Sequence, residues 1–206
     1  MTLTQQQVFS RLDSGLPLDE PVWQGVARAN GRKEAGVLVG LTAENEPRVI
    51  LGRRARHLSL HPGEVAFPGG KREVCDATTW ATATRETMEE VGLPPSLIHP
   101  LGELEPLITR HGYHVYPCIA RVPAELDLVI DPGEFDSVFF PTLKTFADRN
   151  LFRLETMSDN TRTRRVPHYQ VGDDNIWGVT AAILAQLANV AYDAGLDLER
   201  NWSSNP

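Results

Sequence analysis

The sequence predicts an α/β fold in which helices cover both faces of a mixed β-sheet. Three observations indicate it: short runs rich in apolar and β-branched residues, two segments whose apolar residues recur at helical spacing, and connections of very uneven length. A regular βαβ array would need similar connections between successive strands, so the uneven ones favour parallel and antiparallel pairs in one sheet. Because the 206 residues contain no internal repeat or linker, we expect one domain over 1–206.

The first third of the chain is predicted to contain a leading helix and three strands. A short helix is expected over 5–12. Apolar runs over 35–41 and 48–52 predict two neighbouring strands joined by a polar turn. A third short strand over 64–67 stops at a Pro-Gly-Gly sequence, which favours a tight bend.

A longer helix is predicted over 76–91, with Asp76 as its N-cap and Gly92 as its end. Its packed side is predicted from small and apolar residues at helical spacing. These are Ala77, Trp80, Ala81, Thr84, Met88 and Val91.

The second half of the chain is predicted to complete the sheet and close with a helix. Paired strands are expected over 100–109 and 114–122, and another strand over 137–140. The strongly apolar segment 177–194 predicts the closing helix, in which Trp177 is expected to anchor the core.

Composition and charge exclude several classes of protein. The formal charge of -7 disfavours non-specific binding to nucleic acid or anionic membranes, although a local cationic pocket can still hold a small phosphorylated ligand. Cys75 and Cys118 are too few for a disulfide framework. No apolar run approaches 18 residues and the N-terminal segment lacks a signal pattern, so a cytoplasmic location is expected.

Three glutamates of the 76–91 helix form the most informative pattern. At 100° per residue, Glu86, Glu89 and Glu90 fall within about 100° of one another on one face, opposite Met88. Such a cluster is unfavourable unless it is solvated, paired with a base such as Arg85, or neutralised by divalent cations. Hard Mg²⁺ or Mn²⁺ prefers these oxygen ligands, whereas an isolated acidic face is usually only a solvated surface.

The context of these glutamates resembles a known family. Residues 70–93 consist of a glycine, a spacer, an acid, a second spacer and then Arg85-Glu86-Thr87-Met88-Glu89-Glu90-Val91-Gly92-Leu93. This pattern resembles the signature box of the Nudix hydrolases. The resemblance implies a Nudix-type α/β/α sandwich with a mixed β-sheet. It also implies metal-dependent hydrolysis of a diphosphate linked to another moiety, and a homodimer.

Site residues follow from the same resemblance. Glu86, Glu89 and Glu90 are the implied Mg²⁺ or Mn²⁺ ligands, and Arg85 pairs with a carboxylate and orients the helix, completing the candidate catalytic set. Asp76 stands where the family usually has glutamate, and eight residues rather than seven separate it from Arg85. Either a helix cap or a catalytic role is open for Asp76.

Residues upstream of the box resemble the coenzyme A pyrophosphatase branch of the family. The matching residues are Arg54, Leu58, His61, Gly63, Val65, Ala66, Phe67, Pro68, Gly69 and Gly70. Further matches downstream extend the resemblance over roughly 35–190. Three positions depart from the branch, where Gly52, Ala55 and Glu64 replace the usual threonine, serine and glutamine. The implied reaction yields 4'-phosphopantetheine and adenosine 3',5'-bisphosphate from CoA or a derivative.

A polyanionic substrate requires cationic contacts. The basic residues of the first third are Arg53, Arg54, Arg56, Lys71 and Arg72, and Arg54 is the preferred phosphate contact because it also matches the branch. The candidate substrate-binding set is Arg54, His61, Gly69, Gly70 and Lys71.

Other polar residues have less support from the sequence. Glu103 and Glu105 are expected on one strand face, where either could act as the general base or merely lie on the surface. A histidine metal site at His111 and His114 is disfavoured, because side chains three apart on a strand diverge.

Two alternatives to a CoA pyrophosphatase stay open. One is a Nudix hydrolase for another nucleoside diphosphate derivative, such as ADP-ribose, a dinucleotide or a nucleoside triphosphate. The other is a regulator that keeps the fold and binds a ligand without catalysis, although such proteins commonly lose the box acids and all three are present here.

Overall fold

A computed structural model describes residues 3–16, 33–158, 162–198 and 203–204. Its helices are α1 (Gln5–Gly15), α2 (Thr79–Val91) and α3 (Gly178–Tyr192), and short 3-10 helices lie at Pro95–Leu97 and Leu143–Ala147. The first eight strands are β1 (Lys33–Thr42), β2 (Leu51–Arg54), β3 (Val65–Ala66), β4 (Gly69–Lys71), β5 (His99–Glu103), β6 (Leu107–Ile108), β7 (Tyr113–Val122) and β8 (Phe135–Phe139). The remaining strands are β9 (Phe152–Ser158), β10 (Arg162–Val171), β11 (Asp174–Trp177) and β12 (Ser203–Ser204).

The largest sheet is mixed, in the order β4-β1-β7-β5, with β6 also paired to β7. Strands β1 and β7 run parallel over their whole length, from Lys33 opposite Tyr113 to Thr42 opposite Val122, and the other pairs are antiparallel. Helix α2 packs on one face, and α1 and α3 belong to the core on the other. The predicted α/β/α sandwich with a mixed β-sheet is confirmed.

Alternation along β1 divides the core into two layers. Val39 and Leu41 pack in the layer that contains α1 and α3, whereas Leu38 packs with Ala83 of α2. On the α2 side of β1, Gly36 lets the helix lie directly on the strand, because a Cβ at this position would be only 2.7 Å from the Thr79 carbonyl oxygen. The helix that carries the glutamates is thereby fixed on the most buried strand pair of the sheet.

Two smaller sheets flank the main one. Strand β2 pairs antiparallel with β3 and β8, and β10 pairs antiparallel with β9, β11 and β12. The Arg53 guanidinium joins these two sheets by donating to both carboxylate oxygens of Asp174 at 2.8 Å and to Ser137 Oγ at 2.8 Å. The same contact places β11 beside the cleft described below.

Several element predictions are confirmed with shifted bounds. The leading helix extends to Gly15, the predicted strand over 100–109 is interrupted between β5 and β6, and the closing helix begins at Gly178. Strands β1 and β2 were expected as neighbours, but only the isolated bridge of Leu41 to Val49 joins these segments before β2 enters another sheet. Strands β4, β9, β10 and β11 were not predicted.

The prediction of the packed side of α2 was correct at Val91 and wrong elsewhere. Met88 is exposed, and Trp80 and Thr84 are only partly buried. The other buried residues of the helix are Thr79, Thr82, Ala83, Thr87 and Glu90. Small polar residues therefore face the sheet, where threonine hydroxyls find hydrogen-bond partners.

Within the described ranges, none of the helices combines the length and the apolar character needed to span a membrane.

Candidate active site

A buried ion pair fixes the start and the orientation of α2. Arg85 donates from Nε to Asp76 Oδ1 at 3.1 Å and from Nη2 to Asp76 Oδ2 at 2.9 Å. Asp76 also accepts from the Glu73 backbone N–H and the Thr82 hydroxyl, both at 2.8 Å. Burial alone would raise the pKa of Asp76, but these hydrogen bonds, above all that from Arg85, bring it below its ordinary value.

Asp76 is therefore not the helix cap. The N-cap is Thr78, whose hydroxyl accepts from the Ala81 backbone N–H at 3.0 Å. Asp76 instead holds Arg85, and its two carboxylate oxygens are both engaged by protein donors. Gly92 ends the helix as predicted, with a left-handed φ of 69°.

Arg85 also contacts two of the predicted metal ligands. Its Nη1 lies 3.0 Å from Glu86 Oε1 and 3.3 Å from Glu89 Oε2. The Glu86 carboxylate rests against Gly70, where an added Cβ would come within 2.3 Å of it. Burial raises the pKa of Glu86 and Arg85 opposes the rise. Gly70 is thus the residue that makes room for an acid at this position.

Glu90 is the most buried of the three glutamates, with 5% of its surface exposed. Its Oε2 accepts from the Gly69 backbone N–H at 2.8 Å. Gly69 has a φ of 148°, and a Cβ there would lie 2.4 Å from the Gly36 carbonyl oxygen, so only glycine fits. Burial raises the pKa of Glu90 to about 8, and nearby Glu86 and Glu134 add to the rise.

The three glutamates match a hard divalent cation by donor chemistry. Each supplies carboxylate oxygens from one side of α2, and the packing of like charges around Glu90 favours a neutralising cation. Among the described residues, however, no three acidic, histidine or cysteine side chains converge into a ready-made metal site. Glu86 and Glu89 point to Arg85 instead, and the Glu89 side chain is 61% exposed.

A cleft of about 460 Å³ opens beside Gly69. Arg54, His61 and Gly69 from the predicted substrate-binding set line it, together with Glu64. His61 Nδ1 lies 3.0 Å from Glu64 Oε2, and Arg54 Nη2 lies 3.7 Å from Glu134 Oε2. The apolar part of the wall comes from Val37, Val65, Ala66, Phe67, Ile108, Val115, Met157, Val166, Pro167, Trp177, Val179 and Ile183.

The remaining basic residues do not gather around this cleft. Arg53 is bound to Asp174, Arg56 is exposed, and buried Arg72 pairs with Glu34 at 2.8 Å. Lys71 lies with its Nζ 5.9 Å from the Tyr113 ring centre and is not among the residues that line the cleft. Of these five basic residues, Arg54, the preferred phosphate contact, is the one that lines the cleft.

Glu103 and Glu105 do not share a strand face. Strand β5 ends at Glu103, which is buried and accepts a hydrogen bond from the Thr79 hydroxyl, whereas Glu105 is exposed. Neither lines the cleft. Glu134, which the sequence did not predict, is the last residue of the turn before β8; it lies 3.7 Å from Arg54 and raises the pKa of Glu90. No spacing in the sequence connects it to the box.

Trp177 and His111 lie at the cleft rather than in the core. Trp177 is partly buried and stacks on His168, with ring centres 5.9 Å apart and planes 16° apart. The prediction that Trp177 anchors the core is therefore wrong. His111 lines the cleft from the turn before β7, while His114 lies within β7.

Two of the three departures from the CoA branch are packing differences. A Cβ at Gly52 would lie 2.3 Å from the Phe135 ring, and Ala55 is fully buried. Neither residue lines the cleft, whereas Glu64 does. Glu64 is therefore the departure that faces the cleft.

Comparison with known proteins agrees with this geometry. The family model for the NUDIX domain matches residues 32–160. NudL of Yersinia pestis (strain Pestoides F), named as an uncharacterized Nudix hydrolase, is 36% identical over 156 residues, which cover 76% of this chain and 78% of that protein.

Solved structures show the same fold at low identity. A NUDIX hydrolase from Alicyclobacillus acidocaldarius aligns with a TM-score of 0.54 and 17% identity over 81% of this chain and 96% of its own. A MutT/nudix family protein from Enterococcus faecalis aligns with a TM-score of 0.51 and 18% identity over 82% of this chain and 64% of its own. With the matched domain and the identity to NudL, these likenesses lead to one conclusion: the chain belongs to the NUDIX domain family, the family of the Nudix hydrolases.

Proposed function

We propose that this chain is a metal-dependent pyrophosphohydrolase that cleaves the diphosphate of coenzyme A or a CoA derivative. The observation that carries the proposal is the shared cleft: Arg54, His61 and Gly69, which match the CoA branch, line one cavity, and Gly69 hydrogen-bonds Glu90 of the box. The motif that suggests the substrate and the motif that suggests the chemistry thus meet through a single 2.8 Å contact.

Glu86, Glu89 and Glu90 are the residues that would hold Mg²⁺ or Mn²⁺. When bound, such cations neutralise diphosphate oxygens and lower the pKa of water. Arg85 holds the carboxylates of Glu86 and Glu89, because Asp76 fixes its guanidinium from the other side. Gly70 leaves the Glu86 carboxylate free of a side chain that would cover it.

The chain's own groups account for substrate placement and for the proton. Arg54 contacts the diphosphate with charge-assisted hydrogen bonds, since its partner Glu134 is 3.7 Å away and easily exchanged for phosphate oxygens. Water attacks one phosphorus, a carboxylate of α2 accepts its proton, and the bridging P–O bond breaks. The bridging oxygen leaves with one product, so each product keeps one phosphate of the cleaved diphosphate, and adenosine 3',5'-bisphosphate retains the 3'-phosphate in addition to it.

The apolar wall supports a substrate with a long uncharged limb. Val65 and Phe67 on one side and Val166 and Pro167 on another give the cleft more apolar surface than a diphosphate would use. The pantetheine arm of CoA is such a limb.

A panel of substrates with purified protein and Mn²⁺ tests the proposal. We expect the highest kcat/KM for CoA or an acyl-CoA, and lower values for ADP-ribose, a dinucleotide and a nucleoside triphosphate. A clear preference for ADP-ribose would leave the pyrophosphohydrolase chemistry in place and refute the CoA assignment. Binding of CoA without turnover of any compound would favour the regulator.

Three further statements belong to the same proposal. The whole chain forms one domain, because α1 packs in the same core layer as α3 and β1. The protein is cytoplasmic. It is also a homodimer, which light scattering on the purified protein tests.

A further inference from the structure

Arg164 is a cation in the cleft that the proposed chemistry does not use. It lies on β10 opposite Met157 of β9, and both residues line the cleft. Its side chain is partly buried beside apolar neighbours such as Val166. Within the part of the chain that the structure describes, no acidic side chain forms an ion pair with Arg164.

Two neighbouring arginines already have close carboxylate partners. Arg165, the next residue, also lines the cleft and pairs with Asp197 at 3.0 Å, and Arg53 binds Asp174 at 2.8 Å. Arg164 lines the cleft without such a partner among the described residues, so its guanidinium is available to an anion brought by a ligand. The planar fork of arginine suits the oxygens of a phosphate.

Arg164 reaches the cleft from a different sheet than the residues beside Glu90. Arg54 and Gly69 line the cleft from β2 and β4, whereas Arg164 belongs to the sheet of β9, β10 and β11. In the proposed function Arg54 contacts the diphosphate, which leaves Arg164, on another wall of the cleft, for a second anionic group of the substrate.

We propose that Arg164 binds a second phosphate of the substrate, a phosphate monoester remote from the scissile diphosphate, and selects substrates that carry it. The inference rests on the proposed function, in which CoA supplies this group as its 3'-phosphate. Arg164 is then a specificity residue rather than a participant in bond cleavage.

The test compares CoA with 3'-dephospho-CoA, which differ only in that phosphate. Wild-type protein, Arg164→Ala, Arg164→Lys and Arg165→Ala are assayed on both compounds with saturating Mn²⁺. We expect the wild type to favour CoA by about 10- to 100-fold in kcat/KM, as charge-assisted hydrogen bonds would give. Arg164→Ala should lose most of that preference through a higher KM for CoA, with unchanged kinetics on 3'-dephospho-CoA.

The matched variants separate the specific effect from a general one. Arg165→Ala should reduce the ratio much less than Arg164→Ala does, because the Arg165 guanidinium also lines the cleft but is already bound to Asp197 at 3.0 Å. Arg164→Lys should keep part of the preference, since lysine retains the charge without the fork. Unchanged kinetics of Arg164→Ala on 3'-dephospho-CoA also show that the variant is folded.

Three outcomes would overturn the inference. The first is a wild type that does not distinguish the two compounds while cleaving both, which leaves the proposed function intact. The second is an Arg164→Ala protein with the wild-type ratio or with equal losses on both compounds. The third is a wild type that cleaves neither compound, which refutes the proposed function itself.

Discussion

Loss of the ion pair between Asp76 and Arg85 should destabilise the protein strongly. Asp76 is 4% exposed, and Arg85 gives it two hydrogen bonds of 3.1 and 2.9 Å. Breaking a fully buried pair costs about 3–5 kcal/mol. Because the Arg85 side chain is 22% exposed, the pair is not fully buried. We therefore expect Arg85→Gln to lower the free energy of unfolding by about 2–4 kcal/mol.

Thermal unfolding followed by circular dichroism measures this loss. For a chain of this length, 1 kcal/mol corresponds to about 2–4 °C in Tm, so Arg85→Gln should melt about 4–16 °C lower. Asp76→Asn should show a similar loss, and the double variant should be far less destabilised than the sum. Additive losses in this cycle would refute a direct pairing.

The pH dependence gives a second check on the same pair. The pKa of Asp76 is lower in the folded protein than its ordinary value, so the folded state favours the carboxylate. Its stabilisation is complete above the pKa of the unfolded chain and is lost as the pH falls through the folded pKa. The stability difference between the wild type and Asp76→Asn should therefore be constant at neutral pH and shrink below about pH 4. A difference that grows on acidification would contradict this sign.

Three further predictions concern the site and its surroundings. Glu89→Gln should lower kcat by about 100-fold or more with a much smaller change in KM, since Glu89 is exposed and its loss leaves the core unchanged; full turnover would refute its role. Gly70→Ala should also depress kcat, because the new Cβ displaces the Glu86 carboxylate, and wild-type kinetics would show that this contact is unimportant. Arg53→Ala should lower Tm without abolishing hydrolysis, because it breaks the contact with Asp174 that joins the sheet of β2 to the sheet of β11. An unchanged Tm would contradict the view that Arg53 joins the two sheets.

The glutamate pattern of α2 was predictable because it is local. Helical spacing places Glu86, Glu89 and Glu90 on one side, and Gly92 ends the helix, whatever the rest of the chain does. The prediction that Met88 belongs to the packed side of the helix failed because β1 presents Gly36 to the helix. The close approach of the two backbones leaves room for threonines but not for methionine. The helix sequence alone does not show which strand it packs against, so it could not reveal this.

The five basic residues of the first third separate because sequence neighbours diverge on strands. Arg53 and Arg54 are adjacent, yet one joins β11 and the other lines the cleft. Arg72 is buried against Glu34, a partner 38 residues earlier in the chain. The match to the CoA branch, and not proximity in sequence, distinguished Arg54 as the cleft residue among the five.

The β9–β11 region was not predicted because its pattern is weak. β9 is mostly exposed and its apolar alternation is limited to Phe152 and Leu154, while β10 begins with three arginines among its first four residues. This region nevertheless supplies Met157, Arg164 and Trp177 to the cleft. The part of the site that was missed is the part that depends on long-range strand pairing.

Mass spectrometry of the products formed from CoA in the presence of Mn²⁺ shows directly whether this chain cleaves the CoA diphosphate. We expect the wild type to form equal amounts of adenosine 3',5'-bisphosphate and 4'-phosphopantetheine, and both products to be nearly absent with Glu89→Gln. Intact CoA after incubation with wild-type protein that hydrolyses ADP-ribose under the same conditions would contradict it.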